Sequence, residues 1–354
     1  QGYNLTLGAS AVAGSFSSTT MIEADGAGVV RRPYTGTGSY TFPIGEGLDT
    51  TVYSPITVNV TSGTFSSAYV AVNMKDVKHP SNNSADNYLT HYWNVTQTGI
   101  TGAVATITTT YEAIDIVGAV GNISAAQLNG TFNFATNPWV KFGALSGGTL
   151  TAANATLTAG QTSSFTGIDS SPFTAVITGE GSFCEGDAVT LTAEVSGTNP
   201  PYSYSWSGGL GTAATATPPT TVAGTTTYTL TVRDANGIAA TDTADVVVSL
   251  QPVAGTLTGS QEICAATTPA DITLTGYTGT IVRWERSINT GFANPAFIPS
   301  TSATLSGALI GTNLASTRYV RAVVQNGTCP VVYSNYIEIK NNYLDQTLID
   351  LAFS

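Results

Sequence analysis

The stretch Tyr228-Thr229-Leu230-Thr231-Val232 sends apolar side chains to one face and threonines to the other, and that period of two recurs along the whole chain. Segments 51–60, 68–72, 105–111, 188–195, 225–232, 244–250, 270–274, 318–324 and 331–339 are short, rich in Val, Ile, Thr and Tyr, and bounded by Gly, Asn, Asp or Pro. Successive side chains of a strand point to opposite faces, so such runs become half-buried strands, and turn residues at this spacing join them into sandwiches. Sustained helical periodicity is not found; the best candidate, 124–128, is one short turn. The pattern therefore predicts an all-β chain.

Charge narrows the function. Only 9% of the 354 residues are charged, against about 25% in an average soluble protein, and polarity comes instead from Thr, Ser, Asn and Gly. The formal net charge is −11, without a Lys/Arg cluster, which argues against a nucleic-acid partner because phosphate contacts dominate that affinity. No apolar run approaches the roughly 18 residues of a spanning helix, so no membrane insertion is expected. Gln1 reads as a mature N-terminus left by a cleaved signal peptide, implying an extracellular or cell-surface protein. The three cysteines, Cys184, Cys264 and Cys329, form no CxxC pair, so one disulfide and one leftover thiol in an oxidising compartment is the simplest count.

Two breaks divide the chain. Ser171-Pro172-Phe173-Thr174 precedes a fresh strand pattern, and Gln251-Pro252 follows a long one. They give three tandem β-sandwich, Ig-like modules at 1–174, 175–250 and 251–340, with a tail at 341–354. Trp206, alternating with Tyr202 and Tyr204, and Trp284 read as core plugs.

The middle module resembles the PKD/Ig-like repeats of secreted Bacteroidota surface proteins. The matching residues are Phe183-Cys184-Glu185-Gly186, Val189-Thr190-Leu191-Thr192-Ala193, Pro200-Pro201-Tyr202-Ser203-Tyr204-Ser205-Trp206-Ser207, Thr225 to Val232 and Asp234-Ala235-Asn236-Gly237. Such repeats commonly carry a second cysteine after the Asn-Gly; here Ile238 stands there, which leaves Cys184 as a free, buried thiol, with a reactive or intermolecular cysteine as the alternative. Residues 251–340 resemble another repeat of the same secreted proteins, through Gly255-Thr256-Leu257, Ile263-Cys264, Gly279 to Glu285, Thr317 to Ala322, Gly327-Thr328-Cys329 and Tyr333-Ser334. That repeat pairs its two cysteines, so the resemblance implies a Cys264–Cys329 disulfide. In the first module, Gly38 to Gly45, Tyr53 to Val60, Tyr92-Trp93-Asn94-Val95 and Thr162 to Thr166 are similar to patterns in the same proteins, without an attached activity. The whole resemblance implies an adhesin- or filament-type protein like the cargo of type IX secretion, although the longer, basic sorting domain that usually ends such cargo is not seen. Asp242-Thr243-Ala244 and Asp49-Thr50-Thr51 resemble the Asp-Ser/Thr-apolar sites that Bacteroidota O-glycosylate, which marks Thr243 and Thr50. The sequons at Asn4, Asn59, Asn94 and Asn326 are expected by chance in so Asn- and Thr-rich a chain.

Catalytic patterns are not found: HExxH, GxSxG and P-loop signatures are missing. His79 and His91 fall with Asp76 and Asp86 in one Asn- and Ser-rich stretch, readable as a metal or acid–base site but expected to be a long solvated loop. The nearest acidic pairs, Glu23/Asp25, Glu112/Asp115 and Asp242/Asp245, single out no glycosidase pair, and Asp234 to Asn236 is a hairpin turn rather than a calcium loop. The expectation is a non-enzyme with no cofactor, no metal and no catalytic residue. Tyr34, Tyr40, Tyr53 and Trp139 could line a face for surface glycans, but in a sandwich are more often core.

The tail carries the sharpest clue. In 347–353, Ile349, Leu351 and Phe353 share one face, and Leu344 and Leu348 add apolar surface. An apolar strand of this kind invites edge pairing. The reading is a structural subunit of an extracellular filament, polymerising head-to-tail with copies of itself by donating this strand to the first module of the next subunit. The alternatives are a fragment of a monomeric cell-surface adhesin and a carbohydrate-binding accessory module.

Overall fold

The computed structural model describes residues 3–11, 14–46, 52–197, 199–264, 267–312 and 314–342. They are nearly all strand, as the alternation requires; the elements outside strands are 3-10 turns and one short helix, Gly307–Ile310. Two compact units emerge: one of Gln1–Val176, Ala193–Ala214 and Thr229–Asp242, the other of Ile177–Thr192, Thr215–Tyr228 and the chain from Thr243 onward. The stretch 175–250 is thus shared out between both.

The N-terminal unit is organised by one long hairpin. Strand Ile56–Lys75 runs antiparallel to Tyr92–Thr110, from Ile56 opposite Thr109 to Lys75 opposite Tyr92. Its register shifts between Val60 and Ser62, Ser62 and Thr64, and Phe65 and Tyr69. These irregularities bend the ribbon, because each extra residue on one strand locally breaks the ladder and increases the twist. The bend depends on Gly99, with φ +77°, where an added Cβ would lie 2.3 Å from the Ser66 carbonyl oxygen. Past the bend, Val30–Pro33 flanks one side of the hairpin, and Thr162–Asp169, Ile123–Asn129 and Val140–Ala144 continue from the other. Before it, Gly38–Phe42 and Thr149–Leu157 flank the same two strands.

The two ends of the ribbon face each other across a single core. Tyr34 Oη donates to the Val58 carbonyl at 3.0 Å and Trp93 Nε1 to the Ser54 carbonyl at 3.0 Å. Phe42, Ile56, Val58, Val72, Trp93, Ile107, Leu150 and Phe165 fill the space between and are almost wholly buried. Burying each such aliphatic side chain stabilises by about 1.5–3 kcal/mol. Buried Ile56, Val58 and Val60 alternate with half-buried Thr57 and Asn59, the period the sequence announced. The segment 124–128 is strand, not a helical turn: Ile123–Asn129 sits between two partner strands, and buried Ala125, Ala126 and Leu128 serve contacts on both faces. A strand covered on both sides has no reason to alternate, which is why periodicity misread it.

In the other unit, residues 253–342 form two strand sets. Val253–Leu257, Ile272–Thr278 and Thr304–Leu305 make one. Gln261–Cys264, Ile337–Asn342, Arg318–Gln325, Thr280–Ser287 and Ala296–Ile298 make the other, in that order. Trp284, at 0% exposure, packs with Leu274, Leu305, Val320 and Ile337, as the sequence predicted for a core plug. Beside it Glu285, 1% exposed, is clamped by Arg283 and Arg321, each 2.7 Å away, so the buried carboxylate is compensated. Trp206, the other expected plug, is buried in the N-terminal unit and donates Nε1 to the Ala213 carbonyl at 2.9 Å.

The disulfide differs from the one the repeat resemblance implied. Cys184 is bonded to Cys329, with Cα atoms 4.7 Å apart and a sequence separation of 145. Cys264 is the free thiol and is exposed. The reason lies in placement. Cys264 ends the sheet's outermost strand, opposite Asn342, where its side chain meets water. Cys184 ends Gly181–Cys184, which runs parallel to Val246–Ser249, and both Cys184 and Cys329 are buried. Asn326 Nδ2 donates to the Leu250 carbonyl at 2.9 Å, which holds the Cys329 turn against the end of that strand. Cys184 is therefore not the free thiol expected of it. Closing so long a loop is worth about 5 kcal/mol in chain-entropy terms.

Candidate functional site

The Asn- and Ser-rich segment between the hairpin strands is not the solvated loop expected. His79, Asn82, Ser84, Asn87 and His91 are all buried in the N-terminal unit. Asn82 Nδ2 donates to the Gly167 carbonyl at 3.1 Å, and Ser84 Oγ accepts the Asp169 N–H at 2.9 Å and Asn236 Nδ2 at 3.0 Å. Asn87 Nδ2 donates to Asp169 Oδ1 at 3.3 Å and its Oδ1 accepts the Ala119 N–H at 3.0 Å. A buried loop must satisfy its polar groups from within the protein, and the amides do this without introducing charge.

His79 belongs to this packing. Its ring meets Tyr92 and Trp139 edge-on, centroids 4.6 and 5.0 Å away, and Nδ1 accepts the Ser81 N–H at 3.1 Å. Burial pushes its pKa down to about 4, so it is neutral at pH 7. Asp86 is exposed.

His91 is different. It sits just before the second strand of the hairpin, 1% exposed, with Nδ1 3.3 Å from Asp115 Oδ1. Asp115 closes the 3-10 turn Ala113–Asp115 and is fixed by its other oxygen, which accepts the Glu112 N–H at 2.6 Å. Burial works to raise the Asp115 pKa, but the hydrogen bond and charge of His91 and the Glu112 N–H outweigh it and leave the carboxyl below its ordinary value. Asp76, exposed at the end of the first hairpin strand, supplies a third group: one ligand atom from each of Asp76, His91 and Asp115 lies within 4.8 Å of the others. His91 Nε2 has no hydrogen-bond partner. The sequence brought Asp76 and His91 into view, but Asp115 was weighed only beside Glu112; the antiparallel pairing of Tyr88–Leu89 with Ile116–Val117, with the Thr90 N–H donating to the Asp115 carbonyl at 2.9 Å, joins it to His91. Among the described residues no hydroxyl or thiol bonds to the His91 ring.

The other sequence candidates fall as follows. Tyr34, Tyr40 and Trp139 are buried, which removes them as a sugar-binding face, and Tyr53 is half-buried. Thr243 is exposed. Thr50 and the tail residues Leu344, Leu348, Ile349, Leu351 and Phe353 lie outside the described residues.

Comparison with known proteins begins at residues 253–342. They match the model of a family described as a domain of unknown function (DUF8696). No curated protein matches the chain. Among solved structures, fibronectin(III)-like modules of CbhA from Clostridium thermocellum are similar at 13% identity, covering 48% of this chain and 94% of that one, with a TM-score of 0.30. A tetra-tandem repeat in the extending region of a large adhesion protein is similar at 13% identity, covering 82% and 95%, with a TM-score of 0.28. Sidekick-1 immunoglobulin domains 1–4 are similar at 11% identity, covering 87% and 95%, with a TM-score of 0.30. By their descriptions the first and third are fibronectin- and immunoglobulin-type modules.

Proposed function

We propose that the chain is a non-enzymatic structural part of an exported surface protein, organised as three sandwich modules at 1–174, 175–250 and 251–340. The Cys184–Cys329 disulfide carries this reading. Structural disulfides persist in oxidising compartments and are rare in a reducing cytosol. The low charge and the Thr-, Ser- and Asn-rich strands suit an extracellular scaffold.

The finer reading is a filament subunit that donates residues 344–353 to a neighbouring copy. Its support is the apolar alternation of Ile349, Leu351 and Phe353, together with acceptor edges in the N-terminal unit. Val140–Ala144 ends the path of its larger sheet and is largely exposed. Deleting residues 343–354 leaves a folded monomer where the parent forms polymers in negative-stain micrographs. Polymers that survive the deletion, or a parent that is monomeric at all concentrations, defeat the donation reading.

A further inference from the structure

The outer face of strand Ser203–Trp206 opens into a groove. Ser203 lies opposite Arg233 and Ser205 opposite Thr231, so these four side chains share that face, while Trp206, Leu230 and Val232 turn into the core. Phe134 and Ala135 line the same cavity, of about 720 Å³. A second cavity of about 390 Å³ adjoins it, sharing Phe134, Tyr202 and Ser203 and lined further by Phe132, Pro201 and Asn83. All of the lining residues belong to the N-terminal unit.

The aromatic rings of the groove are held in place. Tyr202 stacks on Phe173, with centroids 5.8 Å apart and planes at 26°, and its hydroxyl donates to the Gly197 carbonyl at 2.8 Å. Phe134 sits in a turn closed by Asn133, whose Oδ1 accepts the Ala135 and Thr136 N–H groups at 2.9 and 3.0 Å. The Phe134 ring is nevertheless 47% exposed. Among the described residues no hydrogen bond engages the hydroxyls of Ser203, Ser205 and Thr231, and Arg233 commits only Nη1, to the Gly237 carbonyl at 2.8 Å. Ordered rings and uncommitted polar groups thus meet in one concavity.

We propose that this groove binds a neutral oligosaccharide. Ring faces carry the negative part of the aromatic quadrupole and pack against the C–H faces of sugars, while hydroxyls and a guanidinium match sugar hydroxyls. Small-ligand pockets run to about 300–1,000 Å³, with an apolar lining and a few convergent polar groups. Charge selects against an acidic sugar: Arg233 is offset by Asp234 beside it, and the whole chain carries a net −11. An extended peptide fits less well. Ser203–Trp206 ends its sheet, but on the open edge the Trp206 N–H already bonds the Gly211 carbonyl at 3.1 Å, so too few backbone groups remain to pair an added strand. A sugar bound here would serve a monomer and a filament alike.

The test presents the labelled full chain to an array of neutral and uronic-acid oligosaccharides and follows the hits by calorimetric titration. Neutral members should bind, with an affinity that changes little from low to high salt. Phe134→Ala alters an exposed ring, so it should leave the Tm unchanged and weaken binding about tenfold or more. Ser205→Ala, also at an exposed position, should weaken it several-fold. No binding by any neutral member overturns the proposal, as does a Phe134→Ala protein that binds as tightly as its parent. Preference for the uronic-acid members overturns the neutral assignment. Binding of a synthetic peptide of residues 343–354 in this groove, with no sugar bound, makes it a strand-docking site and overturns the proposal as well.

Discussion

Trp93 and Trp284 are both at 0% exposure, but the structures around them are secured by different means. Near Trp93, the segment between the hairpin strands is held by neutral amides and hydroxyls: Asn82, Ser84 and Asn87 bond to backbone and to Asp169. Near Trp284, the polar element is ionic, with Glu285 between Arg283 and Arg321, and the same unit carries the covalent link from Cys184 to Cys329. The first arrangement also buries carboxylates, Asp115 against His91 rather than an Arg or Lys and Asp169 against Asn87, and requires each amide to find its partner. The second tolerates a buried charge because two guanidinium groups meet it, and it restricts the unfolded chain as well. A unit held by hydrogen bonds should respond to single polar substitutions. One held by a cross-link should respond to reductant.

Replacing the tryptophans gives the largest effects and tests whether the two cores are independent. Trp93→Ala and Trp284→Ala should each cost about 3–5 kcal/mol. Hydrogen exchange should show the loss of protection confined to the unit that carries the substitution; a loss shared equally by both would merge them into one cooperative body.

Removing the cross-link comes next. Cys329→Ser should destabilise the unit that contains it by about 2–5 kcal/mol, and reductant should do the same to the parent. Denaturant unfolding followed through Trp284 fluorescence measures the change. Indifference to reductant would remove the covalent half of the contrast.

The smallest effect is set by pH. His79 has a folded pKa of about 4 against 6.5 when unfolded, so the unfolded chain binds the extra proton between those values. Its contribution is complete above pH 6.5 and is lost as pH falls toward 4, by roughly 3 kcal/mol at most. The His79→Phe protein should show a flatter stability profile across that window. An unchanged profile would place the acid sensitivity elsewhere, with the Asp115 carboxyl, whose lowered pKa gives stability present above its unfolded value and lost below it, as the next group to substitute.

The strands were legible because period-two alternation is local: Thr57 and Asn59 turn outward between Ile56, Val58 and Val60 whatever the topology. Reading failed where both faces are covered, as at Ile123–Asn129, and where polar residues are buried, as at His79 to His91. Composition marks an Asn-rich segment as a loop, but whether a loop is wet depends on what lies over it.

Sequence alone therefore determined the all-β class, the buried tryptophans and the acidic, sparsely charged surface, since each follows from neighbours in the chain or from totals over it. Tertiary structure decided that Cys184 rather than Cys264 meets Cys329, that two candidate strands join into the bent ribbon Ile56–Lys75, and that Asp115 reaches His91. Those are pairings between residues far apart in sequence. They are fixed by strand pairing and register and by which residues end up buried together, and no local pattern encodes either.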